Sequence, residues 1–121
     1  MSHCFEIDGD TVWNPSSRTG RLFIAIASSL ESYLDMPTGL RQRSNDPDAY
    51  DVDLGQFRLF AESLRNDYAS TSNPVYRSLI ENFLAISLAM LAWTGTPFEQ
   101  RSELEAQLVA TIEAMQESMP R

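Results

Sequence analysis

Between residues 74 and 94 the chain places apolar side chains around nearly the whole circumference of a helix: Val75, Leu79, Ile80, Phe83, Leu84, Ile86, Leu88, Met90, Leu91 and Trp93. A helix without a polar face has to be surrounded, by the rest of its own chain or by another copy. In a chain of 121 residues it is therefore either the central helix or an oligomer contact. The boundaries of this segment are written in capping chemistry. Asn73-Pro74 offers a side-chain cap followed by a proline at the first helical position, where its missing N–H costs nothing. At the far end Gly95 suits a C′ residue, Thr96 an N-cap, Pro97 the first position of a new helix and Glu99 the closing member of a capping box. Two helices joined so tightly should form a helical hairpin, the second running over 97–118. Leu104, Leu108, Ile112, Met115 and Met119 then face inward, while Glu103, Glu105, Glu113 and Glu117 make its outer face acidic.

Two more helices follow from the same kind of reading. Leu22, Ile26, Leu30, Tyr33 and Leu34 recur at helical spacing with Phe23 and Ala27 beside them, which predicts a helix over 16–34. Asn14-Pro15 ends the preceding extended segment and caps this helix. A helix over 54–68 begins at Asp53, with Gln56 in capping-box position, and carries a stripe of Leu54, Phe57, Ala61, Leu64 and Tyr68 with Phe60 alongside. Upstream, two short β-type runs within 4–13 flank Asp8-Gly9 and read as a hairpin whose Phe5, Ile7 and Trp13 lie on the helices. Over 35–52 no periodicity survives: two prolines, a glycine and mixed charge predict a long loop. The expected architecture is a mainly α, four-helix bundle-like single domain over 1–121 with a short N-terminal β-hairpin.

Charge narrows the partners. Seventeen acidic against nine basic residues give a net charge of −8. A surface of that sign repels phosphate backbones and anionic lipid, so neither nucleic acid nor membrane is expected as a partner. All nine basic residues are arginine. Without lysine there is no Schiff-base chemistry, P-loop lysine or lysine base. Cys4, the single cysteine, has no internal disulfide partner, which points to a reducing compartment. Met1 to Glu6 lacks the basic start and apolar core of a secretory signal, and the uncharged run 83–93 is short for a bilayer. A cytoplasmic protein is the expectation.

No cofactor or metal is expected. His3 and Cys4 are adjacent with no second His or Cys to complete a transition-metal site, and ordinary burial of Cys4 with a disordered His3 is the simpler reading. Asp46, Asp48, Asp51 and Asp53 have the spacing of oxygen ligands, but an EF-hand begun at Asp46 would have Asp51 where glycine is required and Phe57 where glutamate is required. Phosphate-binding glycine loops and nucleophile elbows are missing from the sequence. Arg18 and Arg21 sit near the start of the first helix, the end whose dipole disfavours cations, so they are candidates for contact with an anion or a partner, or for pairing with Asp8, Asp10 or the 46–53 acids.

The segment Thr11-Val12-Trp13-Asn14-Pro15-Ser16, with Arg21-Leu22-Phe23 and Leu34-Asp35-Met36-Pro37-Thr38-Gly39, resembles an uncharacterised family of small actinobacterial proteins. The resemblance covers about the first forty residues. It implies a bacterial cytoplasmic origin and carries no activity with it.

Two functional readings stand side by side. In the first, the protein is an acidic interaction module, an immunity or antagonist protein that masks a basic protein partner. Asp46, Asp48, Asp51, Glu103, Glu113 and Glu117 would form its contact surface, and catalysis is not expected. In the second, it is a small enzyme or ligand carrier with an apolar interhelical pocket lined by Trp13, Phe57, Phe60, Phe83 and Trp93, and Glu81 as acid or base. Glu81 interrupts the apolar helix, and facing solvent or pairing with Arg77 is the simpler account of it. A homodimer with the 74–94 helix as its seam is compatible with either.

Overall fold

A computed structural model describes residues 2–121. The fold is α/β, not the mainly α bundle expected: four helices accompany a four-stranded mixed sheet of order β2-β1-β4-β3. Its elements are β1 (Cys4–Ile7), β2 (Asp10–Trp13), α1 (Ser17–Leu34), β3 (Leu40–Arg43), β4 (Asp46–Val52), α2 (Leu54–Ala69), α3 (Pro74–Ala92), a single 3₁₀ turn (Glu103–Glu105) and α4 (Ala106–Ser118). The chain divides into two compact units, Met1–Phe60 with Met119–Arg121, and Ala61–Ser118.

In the first unit β1 and β2 pair antiparallel around Asp8-Gly9, which take φ of 51° and 85°, the left-handed pair that a two-residue hairpin turn requires. The correction to the fold class comes from 35–52. That segment holds a second hairpin, β3 antiparallel to β4, and β4 lies parallel to β1 with Cys4 opposite Ala49, Phe5 opposite Tyr50 and Glu6 opposite Asp51. Local polarity hid it. Tyr50 and Val52 are buried while Asp51 between them is exposed, an alternation of only three residues inside a charged stretch. Of the two strands that pair with β4, β3 is its hairpin neighbour, while β1, which draws the hairpin into the sheet, lies more than forty residues upstream. A sheet with β4 in its interior, linked by α1 between its edge strands β2 and β3, cannot be read as a loop over a bundle.

Phe5 is the centre of this unit's core. Its ring stacks on Trp13 and Tyr50 at centroid separations of 5.4 and 5.2 Å, and Phe23 of α1 meets Phe5 and Trp13 edge-on. The inward face of α1 is thus Gly20, Phe23 and Ala27. The stripe chosen from periodicity points outward, with Leu22 63% and Tyr33 60% exposed. Ser16, not Asn14, caps α1, its Oγ accepting from the Thr19 N–H. His3 is ordered: its N–H donates to the Pro15 carbonyl at 2.8 Å and its ring stacks on Tyr50.

In the second unit α3 and α4 pack on each other. Asn73 caps α3 as its position implies, accepting from the Val75 and Tyr76 N–H groups. Nine α3 residues are buried, from Ile80 to Leu91, while Val75 and Leu79, one turn apart, remain exposed. By length and composition α3 is long and apolar enough to cross a bilayer, and half of that span is buried within the fold. The helix expected from Pro97 begins only at Ala106. In a helix the Glu99 carbonyl would accept from residue 103 and the Arg101 N–H would donate to residue 97. Here the Glu99 carbonyl accepts from the Arg65 guanidinium at 2.5 Å, and the Arg101 N–H donates to the Glu105 carboxylate at 2.7 Å. Side-chain bonding replaces the first turns of the helix.

Candidate functional site

The acids grouped by the sequence fall into both units and into two chemical situations. Those of β4 are engaged within their own sheet. Arg43 donates from Nε and Nη2 to Asp51 at 3.0 and 2.8 Å, and its Nη2 also reaches Glu6 at 2.8 Å. These bonds hold the carboxyls of both Asp51 and Glu6 below the usual carboxylate range. Asp46 accepts the Asp48 N–H, and Asp48 Oδ1 lies 3.9 Å from Nδ1 of the buried His3. Asp53 accepts the Gln56 N–H and lies 3.7 Å from Arg41, as a helix-starting residue should. A wide concavity of about 630 Å³ at the β3–β4 turn is lined by Arg41, Arg43 and Asp51 among others, and two of these three charges already face each other.

The acids of the second unit are different. Glu103, Glu113 and Glu117 are exposed, and none has a cationic partner among the described residues. Glu113 and Glu117 stand one turn apart on α4, a like-charged i, i+4 pair that slightly opposes helix stability. Glu105, expected on the same outer face, is instead 1% exposed and bonded to Arg65. Arg18 and Arg21 are exposed in the early turns of α1, and neither pairs with an acid among the described residues.

The expected pocket residues are divided between the two units. Trp13 belongs to the aromatic cluster around Phe5, and Phe57 and Phe60 are wholly buried, all three in the first unit; Phe83 is buried and Trp93 half-buried in the second. Glu81 is half-buried and bonded on both oxygens. Tyr68 donates to Oε1 at 2.6 Å and Thr111 to Oε2 at 3.2 Å. Burial, then the bond to Glu81, raises the Tyr68 phenol above its ordinary value. Arg77 does not pair with Glu81: its guanidinium sits 4.2 Å over the Tyr68 ring and donates to the Leu104 carbonyl.

A cleft of about 210 Å³ does open in the second unit. Its lining combines the apolar Pro97, Phe98, Val109 and Ile112, the last of them buried, with the polar Glu113 and Gln116. Arg65 fixes one wall by stacking its guanidinium 4.1 Å from the Phe98 ring centre while bonding the Glu99 carbonyl and the Glu105 carboxylate. Neither cleft nor clasp was anticipated from sequence. One signal was present: Arg65 lies four residues after Ala61 and three before Tyr68, on the apolar face of α2, and a charge on such a face requires a buried counter-charge.

No curated protein and no solved structure matches the chain. A family model described as a family of unknown function (DUF6086) matches residues 1–121, and the chain belongs to that family.

Proposed function

We propose that the protein is an acidic protein-interaction module that masks a basic partner, in the manner of an immunity or antagonist protein. The observation that carries this reading is the set Glu103, Glu113 and Glu117: exposed, concentrated on and just before α4, and without a cationic partner among the described residues, in a chain of net charge −8. Uncompensated surface charge of one sign accelerates encounter with a partner of the other and penalises partners of the same sign. The β4 acids contribute less, because Arg43 and the backbone already engage them. A catalytic role for Glu81 has less support, since Tyr68 and Thr111 occupy both of its oxygens. The proposed setting is a bacterial cytoplasm, with Cys4 kept as a thiol.

The test uses the tagged protein and its E103Q/E113Q/E117Q variant against lysate of the native host, washed at low and high salt. A basic protein held by the wild type, released by salt and absent from the variant is expected. Retention of neutral or acidic proteins only, or equal retention by both forms, would overturn the reading.

A further inference from the structure

The acidic face of α4 is continuous along the helix with the lining of the cleft. Val109, Glu113 and Gln116 are spaced i, i+4 and i+7 and all line it, and Glu117 follows on the same face. An occupant is therefore presented with apolar lining beside the Glu113 carboxylate, with Glu117 one helical turn further on, and neither carboxylate has a cationic partner among the described residues. Ala92, at the last position of α3, also lines the cleft, so the negative end of that helix's dipole lies beside it. Carboxylate and dipole both favour positive charge at the rim, and the apolar lining favours a hydrocarbon or aromatic group. Neither a simple cation nor a neutral apolar molecule satisfies both parts.

We propose that this cleft seats one aromatic side chain of the basic partner, with an arginine or lysine next to it in the partner's chain reaching Glu113. The proposal rests on the interaction-module reading and adds where the partner is anchored. Its volume suits a single large side chain, the kind of anchor that dominates association energetics, whereas exposed carboxylates at the rim mainly set on-rate and specificity. The wall is preorganised as well. Phe98 cannot swing away without losing the Arg65 guanidinium, which is itself held by Glu105 and the Glu99 carbonyl, so little ordering cost remains to be met on binding.

The probes are three blocked tripeptides, Arg-Trp-Arg, Arg-Ala-Arg and Glu-Trp-Glu, titrated into the full chain and followed by amide chemical shifts. Arg-Trp-Arg should perturb Ala92, Phe98, Val109 and Glu113 and bind about tenfold more tightly than Arg-Ala-Arg, the gain of burying one aromatic ring. In the E113Q variant its affinity should fall by about two- to fivefold, as for an exposed charge pair. A V109W variant, which fills the cleft from its own lining, should abolish the preference for tryptophan and leave Arg-Ala-Arg binding unchanged. If Arg-Trp-Arg and Arg-Ala-Arg bind α4 equally with the cleft amides unmoved, the anchor site is refuted and the acidic-face reading survives. If neither arginine peptide binds, both fall. Binding of Glu-Trp-Glu as tight as that of Arg-Trp-Arg would refute the role of charge at the rim.

Discussion

Arg65 and Glu105, forty residues apart, meet as a two-point buried pair, Nε to Oε2 at 2.6 Å and Nη2 to Oε1 at 2.9 Å, with side chains 7% and 1% exposed. Removing either partner leaves an unpaired charge in a place that water does not reach. Arg65→Leu should cost about 3–5 kcal/mol, whereas the double replacement R65L/E105L should cost less than the single change because no orphaned charge remains. Urea denaturation of the two single variants, the double and the wild type forms the cycle. Additive losses would show that the two residues act independently.

The same pair makes stability depend on pH in one direction. The hydrogen bonds from Arg65 are the main cause holding the Glu105 carboxyl below its ordinary value, and burial opposes them. A carboxylate depressed in the folded state stabilises it above the unfolded pKa, about 4.3, and loses that contribution as pH falls through the folded value. Glu6 and Asp51, lowered chiefly by Arg43, follow the same rule. The stability gap between wild type and Glu105→Gln is expected to be widest near neutrality, to shrink below about pH 4 and to close in stronger acid. Thermal unfolding of both forms from pH 7 to pH 2 measures it, and a gap independent of pH contradicts the assignment.

Neighbouring positions on α1 should behave oppositely. Phe23 is 4% exposed within the aromatic cluster and Leu22 is 63% exposed. Phe23→Ala should cost about 3–5 kcal/mol and Leu22→Ser no more than about 0.5 kcal/mol. Denaturant midpoints decide it, and a large loss at Leu22 would mean that the helix is turned the other way.

Gly20 should resist a change that usually strengthens helices. Gly to Ala inside a helix ordinarily gains about 1 kcal/mol, but a Cβ here would stand 2.5 Å from Cβ of His3. Such a contact forces backbone or side-chain displacement of the kind that costs about 1–3 kcal/mol, so Gly20→Ala should come out destabilising. Adding His3→Gly, which removes the atom in the way, should recover part of the loss. A stabilised Gly20→Ala protein would show that His3 does not sit where the structure has it.

Much of the helical content was legible because its causes are local. The Asn73 cap, the apolar 74–94 segment and the Asp8-Gly9 turn each depend on residues within a few positions of one another. Which face of α1 would be buried was not legible. Leu22, Ile26 and Phe23 are equally apolar, and only the position of Phe5 and Trp13 on the sheet selects Phe23. At the candidate site, the acidic character of α4 could be read from its glutamates, and the cleft beside it could not, since its lining comes from α3, α4 and the segment between them.

By itself the sequence determined the charge sign, the absence of lysine chemistry, three helices close to their final bounds and the first hairpin, all of which follow from composition or from contacts a few residues apart. Tertiary structure alone decided that 46–52 is a strand, that α4 starts at Ala106 and that Glu105 is a buried counter-ion rather than part of an acidic face. The physical reason is the same in each case. A partner distant in sequence takes part each time: β1 on the side of β4 that β3 leaves open, and Arg65 for the Glu99 carbonyl and the Glu105 carboxylate.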